Sequence, residues 1–389
     1  MILKTVCKSS MCAGCMACID ICPRGAISIE DSLKAYNAVI DADRCINCKA
    51  CYHVCQENNP PPFSKPLYWK EGWAEKEEIR RKSSSGGFAA AIEKTFVRQG
   101  GIICSCIFIN GNFEFIFAET EGEIEKFAGS KYVKSNPAGI YKKIKELLCE
   151  NKKVLFVGLP CQAAALRNYV GEQKDLYLID LICHGSPSPK ILDLFLQDHG
   201  TSISKIAEIR FRVKNHFNLE AKQRAFTVPV IYDNYTMTFL EGISYTENCY
   251  SCKFARLERI TDITLGDSWG SMLPEEEQRK GISLALCQTE KGWELLNESG
   301  LYLSNVDLMR STACNSQLRH PSVKPRQRDS FFENLTKGKS FKTAVFKCFP
   351  KRYLKNMLKA FLYHIGMIRD DAGGGKIYSI AILESSKTS

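Results

Sequence analysis

Hydrophobic residues recur at two different periods in the middle of the chain. Residues 83–98 have apolar positions at helical spacing, begin with serines that suit a helix N-terminus and stop before a glycine pair, which predicts a helix. Two strongly apolar stretches follow, residues 102–109 and 113–118, and the Asn-Gly-Asn segment between them predicts a β-hairpin. We therefore expect a folded domain with both element types from residue 83 onward.

Helix and strand patterns then alternate as far as residue 182. The predicted helices are residues 140–148 and 162–169, and the predicted strands are residues 153–157 and 176–182. Strand–helix–strand order is typical of parallel pairing, because the helix returns the chain to the same end of the sheet. Later alternating stretches predict further strands, so we expect a mixed sheet. They are residues 206–213, 225–231 and 236–240.

The remainder of the chain differs from this region in composition. The N-terminal part is dense in cysteine and contains an internal repeat, and the stretch after it opens within a run of three prolines and has no clear period. The C-terminal part is basic and ends with Gly373-Gly374-Gly375 and a short apolar segment. The predicted parts are a cysteine module at 1–60, a linker at 61–82, an α/β domain at 83–336 and a tail at 337–389.

The overall composition is that of an ordinary globular protein, with 44% hydrophobic and 25% charged residues among 389. The net charge is +10, but residues 337–369 contain nine lysines and arginines and no acidic residue, which leaves 44 basic and 43 acidic residues elsewhere. This nearly neutral body argues against a nucleic-acid partner. The basic tail has two interpretations: peripheral contact with an anionic membrane surface, or a helix packed on the body with its basic face outward.

Nineteen cysteines are the unusual feature of the composition. Residues 1–10 lack the apolar stretch of a secretory signal, and no apolar run is long enough to span a membrane. Clustered cysteines in such a chain indicate metal or cofactor ligation rather than disulfides. We therefore expect a cytoplasmic protein.

Eight cysteines form two quartets with the same spacing. They are Cys12-x2-Cys15-x2-Cys18-x3-Cys22 and Cys45-x2-Cys48-x2-Cys51-x3-Cys55. This spacing is typical of two-cluster bacterial ferredoxins, in which the fourth cysteine of each run binds the other cluster. The predicted [4Fe–4S] ligand sets are Cys12, Cys15, Cys18 and Cys55, and Cys45, Cys48, Cys51 and Cys22. Zinc is the alternative, but zinc sites rarely use three cysteines at this interval. Gln56 follows the second run where Pro23 follows the first, which affects the local turn rather than the ligands.

Several short motifs follow in a fixed order. They are residues 82–88 (KSSSGGF), 129–135 (GSKYVKS), 158–162 (GLPCQ), 183–185 (CHG), 249–252 (a Cys-x2-Cys pair) and 262–267 (DITLGD). In this order they resemble the family of coenzyme F(420) hydrogenase/dehydrogenase beta subunits, which includes the plastid 7-hydroxymethyl chlorophyll a reductases. The resemblance covers roughly residues 83–269, and a fused ferredoxin module is a known variant.

The resemblance implies an iron–sulfur flavoprotein oxidoreductase with FAD. It also implies a third [4Fe–4S] cluster on Cys161, Cys183, Cys249 and Cys252. The residues agree, because Cys161 and Cys183 each follow a predicted strand and would face the crevice beyond the strand ends, where ligands bind in open α/β sheets. A helix N-terminus at Cys161 would also stabilise its thiolate.

Two loops, residues 83–87 and 129–135, provide candidate flavin ligands. The first loop places small residues at a helix N-terminus, which suits a pyrophosphate, and helix capping by a serine is the alternative. No G-x-G-x-x-G follows a strand, so a Rossmann-type site is not expected. Lys131 would stabilise the anionic reduced ring, whereas Lys134 belongs to the same site or is solvated. The resemblance places part of the second loop at FAD. The candidate FAD-binding residues of the two loops are Ser84, Ser85, Gly86, Gly87, Gly129, Lys131, Tyr132 and Ser135.

Several residues keep more than one interpretation. A nucleophilic Cys161 or Cys183 with His184 as base is disfavoured, because neighbours on an extended strand point to opposite faces. His184 instead relays protons near the flavin or makes a structural hydrogen bond, and Lys131 and His184 are the candidate catalytic residues. Asp267 serves the active site or caps a turn. The cysteines without ligand spacing are expected to be buried or incidental thiols, with Cys314 ambiguous: Cys7, Cys104, Cys106, Cys149, Cys287 and Cys348.

We therefore expect an α+β or α/β protein in which a small two-cluster ferredoxin-like domain precedes a mixed-sheet flavin domain. Its expected function is to pass electrons between ferredoxin-type clusters and F(420) or another small molecule through FAD, because clusters carry single electrons whereas hydride donors deliver two. The alternative is an electron-relay subunit of a larger hydrogenase or dehydrogenase without its own substrate. Either function requires a redox partner protein or a small electron carrier.

Overall fold

The computed structural model describes residues 4–212, 214, 216–221 and 224–369, and the three glycines 373–375 lie outside this part. The strands are β1 (Lys4–Thr5), β2 (Ile27–Asp31), β3 (Tyr36–Ile40), β4 (Tyr68–Ala74), β5 (Ile102–Ile109), β6 (Asn112–Ala118), β7 (Val154–Val157), β8 (Leu176–Leu181), β9 (Ile209–Arg210), β10 (Glu220–Ala221), β11 (Arg224–Ala225), β12 (Ile263–Asp267), β13 (Ser283–Cys287) and β14 (Leu301–Ser304). The α-helices are α1 (Ala17–Ile21), α2 (Ala50–Val54), α3 (Glu77–Lys82), α4 (Phe88–Arg98), α5 (Glu121–Ile124), α6 (Ile140–Cys149), α7 (Pro160–Val170), α8 (Pro189–Gln197), α9 (Asn234–Leu240), α10 (Glu275–Lys280), α11 (Glu290–Asn297), α12 (Leu308–Cys314), α13 (Arg328–Thr336), α14 (Phe341–Cys348) and α15 (Pro350–His364).

An eight-stranded sheet forms the body, in the order β14-β4-β13-β12-β8-β7-β5-β6. Strands β5, β7, β8 and β12 pair in parallel, and antiparallel strands extend the sheet on both sides. Successive residues of β7 enter two different cores: Val154 and Phe156 pack towards α7, and Leu155 and Val157 pack towards α4. The mixed sheet expected from the sequence is confirmed, and β7 is buried on both faces as a covered parallel strand should be.

The N-terminal region has a three-stranded antiparallel sheet, β1-β3-β2, and the two short helices α1 and α2. Its internal repeat is visible in the backbone, because the residues before the helices, Met16 and Lys49, are both left-handed with φ of 61°. The region packs on α6 and α7 of the body. Tyr141 Oη donates to the Cys15 carbonyl at 2.5 Å, and Asn168 donates to the Asn59 carbonyl at 2.7 Å. The ferredoxin-like region and one face of the large sheet thus share a core.

The stretch expected to be a linker, residues 61–82, contains regular structure instead. Strand β4 lies between β13 and β14 in the large sheet, and α3 follows it. Charged residues hide its strand pattern in the sequence. Glu71 is buried and accepts a hydrogen bond from Ser268 Oγ at 2.5 Å, and Lys70 Nζ donates to Asn305 Oδ1 at 2.5 Å. Because these partners are distant in sequence, hydrophobic periodicity does not reveal β4.

The β5–β6 hairpin, α6, α7, β7 and β8 confirm the predicted elements, and other predicted bounds are wrong. The helix expected from residue 83 begins at Phe88, because Gly86 first passes the sheet so closely that a Cβ would lie 2.4 Å from the Gly72 carbonyl oxygen. Residues 236–240 belong to α9 rather than a strand, since Asp233 caps a helix there by accepting from the Thr236 N–H at 2.8 Å.

The predictions of strands at residues 206–213 and 225–231 are also mostly wrong. Only the short β9 and β11 form within the described parts of these stretches, and they pair with β10 in a small separate sheet.

The two C-terminal helices differ in how they contact the body. Helix α14 packs through the buried Phe341, Ala344 and Val345, whereas α15 contains no buried residue. In the described part of the chain, none of the helices combines the length and the apolar character needed to cross a membrane.

Candidate functional site

The cysteines of the two repeats line two cavities. The outer cavity encloses about 330 Å³, part of it open to solvent, and is lined by Cys22, Cys45, Cys48 and Cys51. The inner cavity encloses about 310 Å³ and is lined by Cys12, Cys15, Cys18 and Cys55. Each cavity thus takes one cysteine from the other run, which is the grouping that crossed ligation requires. Cys48 is exposed, whereas the four thiols of the inner cavity are buried.

The surroundings of these thiols fit an iron–sulfur cluster. Backbone N–H groups of Gly14, Ala26 and Asn47 donate to sulfur at 3.4, 3.3 and 3.4 Å. Their acceptors are Cys12, Cys22 and Cys45, and such bonds stabilise thiolate ligands. Burial raises the pKa of the Cys15 and Cys18 thiols, so four thiolates would assemble here only with cationic iron between them.

Cys7, expected to be a buried or incidental thiol, is buried, and it lies in the inner cavity as a fifth thiol. Its hydrogen bonds to Cys12 and Cys55 raise its own pKa, and the bond lowers the pKa of Cys55 to about 7. Cys7 has no ligand spacing in the sequence, so only the three-dimensional structure brings it to the site.

Four further cysteines come together next to the inner cavity, and we call them the third group. Cys161 lies in the first turn of α7, Cys183 follows β8, Cys249 is in the 3-10 turn Glu247–Ser251 and Cys252 comes directly after that turn. Burial is the largest cause of the raised pKa of Cys183, and the charges of the three other thiols add to it. The residues of the predicted third ligand set are therefore neighbours.

The helix terminus is not the dominant influence on the Cys161 thiol. Burial raises its pKa although it lies in the first turn of α7, so desolvation outweighs the effect of the helix terminus. Cys15 of the inner cavity is close enough to Cys161 to add to this rise. The three cysteine sets thus follow one another from the exposed outer cavity to the interior.

The loop at residues 129–135 lies between the start of α4 and α7. The Ser130 N–H donates to Ser84 Oγ at 3.1 Å, and Gln162 Nε2 donates to Ser135 Oγ at 3.0 Å. Gly129 has a φ of +88° and faces open space, since no atom lies within 4 Å of the position of an added Cβ. The backbone of this loop is therefore open at Gly129, and we call the space beside the loop and the start of α4 the crevice.

Two of the candidate flavin residues are engaged with the sheet. Ser85 Oγ donates to the Ile282 carbonyl at 2.9 Å, and the Gly86 N–H donates to Ser283 Oγ at 3.0 Å. Helix α4 starts after Gly87, which has a φ of 93° and provides no side-chain cap. The groups that remain for a pyrophosphate are the N–H groups at the start of this eleven-residue helix, beside Ser84.

Lys131 is held inside the protein. Its Nζ donates to the Phe127 carbonyl at 2.6 Å, and burial lowers its pKa. The carboxyl of Glu93 on α4 is only 3% exposed, and burial raises its pKa to about 8 although Lys131 opposes the shift. Lys131 thus has a fixed position and a perturbed pKa.

The predicted catalytic residue His184 is exposed. It lies in the loop after β8, so the strand argument that separated it from Cys183 does not apply. The two nevertheless have different neighbours, because His184 faces the charges of Asp267 and Arg212. Asp267 and Arg212 form a two-bond ion pair at 2.6 and 2.8 Å, and Arg212 also covers the Phe217 ring at 4.6 Å.

Sequence reasoning missed Arg212. It lies in a stretch predicted as a strand and belongs to no recognisable motif. Tyr132 lies beside this ion pair: its ring stacks on Phe239 at 4.3 Å between ring centres, and burial raises its pKa although the charge of Arg212 opposes the rise.

Two family matches cover most of the site. Residues 151–304 match the family described as the C terminus of the coenzyme F420 hydrogenase/dehydrogenase beta subunit, and residues 11–59 match a 4Fe-4S dicluster domain. The resemblance inferred from the sequence motifs is confirmed.

Curated relatives agree with these matches. The chain is 27% identical over 195 residues to the F subunit of the F(420)H(2) dehydrogenase of Methanosarcina mazei, covering 46% of this chain and 55% of that protein. It is 24% identical over 345 residues to a coenzyme F(420)-dependent sulfite reductase of Methanocaldococcus jannaschii, covering 79% and 50%. The chain thus spans about half the length of the curated relatives it matches. A chain of the F(420)-reducing [NiFe] hydrogenase complex from Methanosarcina barkeri superimposes with a TM-score of 0.46 and 20% identity, covering 71% of this chain and 96% of that one.

Proposed function

We propose that this chain, which joins a 4Fe-4S dicluster domain to the C-terminal domain of coenzyme F(420) hydrogenase/dehydrogenase beta subunits, is an iron–sulfur flavoprotein oxidoreductase. Its proposed reaction exchanges electrons between iron–sulfur clusters and a small hydride carrier. The observation that supports this best is the row of three cysteine sets, which leads from the exposed Cys48 through the inner cavity to Cys161 and Cys183. Because the relatives are named for F(420), a deazaflavin of this kind is the proposed carrier.

The proposed ligand sets follow the grouping of the thiols. The outer cluster is held by Cys22, Cys45, Cys48 and Cys51, the inner cluster by Cys12, Cys15, Cys18 and Cys55, and a third cluster by Cys161, Cys183, Cys249 and Cys252. An electron that enters from a partner at the outer cluster would reach the third cluster through the inner one.

FAD is the proposed cofactor of the crevice, where it would convert an electron pair into two single electrons. The N–H groups at the start of α4 bind its pyrophosphate, and Gly129 leaves space for close approach. Lys131, fixed by the Phe127 carbonyl, places a positive charge where negative charge develops. His184, which is exposed beside the Arg212–Asp267 pair, takes up or releases the proton.

The isolated chain, loaded with iron, sulfide and FAD without oxygen, is expected to be reduced by F(420)H(2). Visible absorbance of the flavin should bleach first, and electron paramagnetic resonance signals of reduced clusters should follow. A protein that stays oxidised until a partner protein is added would support the relay alternative and contradict the proposed enzyme. A colourless protein that releases neither sulfide nor flavin on denaturation would contradict both.

The basic tail is proposed to attach the chain to an anionic membrane surface. The apolar side chains on one side of α15 are 51% to 59% exposed, and basic residues occupy another side. The apolar set is Leu354, Met357, Leu358, Phe361 and Ile365, and the basic set is Lys351, Arg352, Lys355 and Lys359. An exposed amphipathic helix in a segment without acidic residues suits the interface of an anionic bilayer.

Flotation with lipid vesicles tests this attachment. The full chain should float with vesicles rich in anionic lipid, should not float with neutral vesicles, and should be released by high salt. Replacing Leu358 and Phe361 together by glutamate should abolish flotation, whereas a chain that ends at residue 369 should retain it. A full chain that stays unbound to anionic vesicles would instead support packing of the tail on protein.

A further inference from the structure

Lys134 is a buried lysine between the ferredoxin-like region and the body. Lys134 is only 5% exposed. Its Nζ donates to the Ala13 carbonyl at 2.8 Å and lies 5.3 Å from the centre of the Tyr36 ring. Its backbone N–H is fixed by the Pro187 carbonyl at 2.9 Å. Among the described residues, no carboxylate forms an ion pair with Lys134. Lys134 is therefore not solvated, which was one of the two alternatives that the sequence left open.

The ammonium group lies beside two cysteine sets. In the inner cavity, the Ala13 carbonyl that accepts from Lys134 lies between Cys12 and Cys15, and a Cβ added to Gly14 would lie 3.7 Å from Lys134 Cδ. Towards the third group, Ser135, which follows Lys134, accepts at 3.0 Å from Gln162, the residue after Cys161. The buried cation is thus a shared neighbour of the inner cavity and the third group.

The outer cavity has no comparable cation among the described residues. Arg24 and Lys49 line it, but both are exposed. Water and salt screen an exposed charge strongly, whereas a buried charge acts through a medium of low dielectric constant. The two ends of the cysteine row therefore differ in their electrostatics.

We propose that Lys134 is a positioning charge that favours electrons on the inner and third clusters over the outer cluster. This inference rests on the proposed function. Reduction of a cluster adds one negative charge, and a fixed buried cation lowers the free energy of that charge. The inner and third clusters would then hold electrons in transit between the flavin and the surface. The reduction potential of the outer cluster would be set independently of Lys134.

Redox titration of the anaerobically loaded protein, followed by electron paramagnetic resonance, tests the proposal. Signals are assigned by comparison with the Cys45→Ala and Cys183→Ala proteins. In Lys134→Gln, the equilibrium constants for reduction of the inner and third clusters should each fall at least tenfold, which is about 59 mV for a one-electron couple. The outer cluster should keep its potential. Lys134→Arg should restore the potentials of the inner and third clusters.

Two further variants separate charge from packing. Glutamine keeps a donor for the Ala13 carbonyl and methionine does not, so equal shifts in Lys134→Gln and Lys134→Met would assign the effect to the charge. The exposed Lys49→Gln is the matched control and should change the potential of the outer cluster by much less. Unchanged potentials in fully loaded Lys134→Gln, or an equal shift of all clusters, would overturn the proposal.

Different results would contradict the proposed function and this inference. A wild-type chain that binds about eight rather than about twelve irons would remove the third cluster from the proposed function. The potential of the inner cluster in Lys134→Gln would still test the role of Lys134.

Discussion

Replacing Cys183 by alanine is expected to remove about four of about twelve iron atoms per chain and to separate the flavin from the two ferredoxin-type clusters. Cys183 lies beside Cys161, Cys249 and Cys252, and a cluster that lost one of its four thiolates would lose charge balance as well as a bond. With F(420)H(2), the flavin of the variant should still bleach, and the inner and outer clusters should stay oxidised. Iron analysis and rapid-mixing spectroscopy measure both effects.

Cys287→Ala is the matched control for this prediction. Cys287 is a fully buried thiol, but it lies on β13 outside the three cysteine sets. Its replacement should leave the iron content and the reduction of the clusters unchanged. Full iron content and normal cluster reduction in Cys183→Ala would contradict the proposed third cluster.

Replacing Arg328 by methionine is expected to lower the free energy of unfolding by about 3–5 kcal/mol. Arg328 is 1% exposed and makes four hydrogen bonds. Its guanidinium donates to Glu247 Oε2 at 2.7 Å, to the Lys34 and Tyr245 carbonyls at 2.9 Å each, and to the Tyr250 hydroxyl at 3.0 Å. These partners belong to the β2–β3 turn and to the segment around Cys249, so the substitution leaves buried acceptors unpaired on both sides.

Denaturation by urea, followed by circular dichroism without oxygen, measures this loss. Arg352→Met is the control, because Arg352 pairs with Glu241 at the surface, where both side chains are 38% exposed. Such a pair contributes about 0–1 kcal/mol. A change in Arg328→Met as small as that of the control would show that Arg328 does not hold the two regions together.

Local patterns in the sequence predicted the elements that depend on neighbouring residues. The β5–β6 hairpin follows from an Asn-Gly turn between two apolar runs, and α7 follows from a proline at the first helical position after a buried strand. The equal spacing of the two cysteine runs likewise predicted thiols that the structure brings together in two cavities. In each case the signal lies within a few residues.

Features that depend on distant partners were not predictable in this way. Glu71 can occupy a buried strand because Ser268 Oγ donates a hydrogen bond to its carboxylate. Lys134 can be buried because its Nζ donates to the Ala13 carbonyl. Arg212 gains its position from Asp267, more than fifty residues later. A single sequence does not show which polar residue will find such a partner, so these residues look like ordinary surface positions.

The location of β4 limits how the protein can be divided into exchangeable parts. A fragment that starts at residue 83 would lack the strand that joins β13 to β14, and two hydrogen-bonding edges would be left open to aggregation. Backbone pairing of this segment with the body begins at Ser64, which pairs with Arg259. A fusion boundary that keeps this pairing therefore lies at the prolines 60–62, and a ferredoxin-like region attached there would also have to provide the surfaces that pack on α6 and α7.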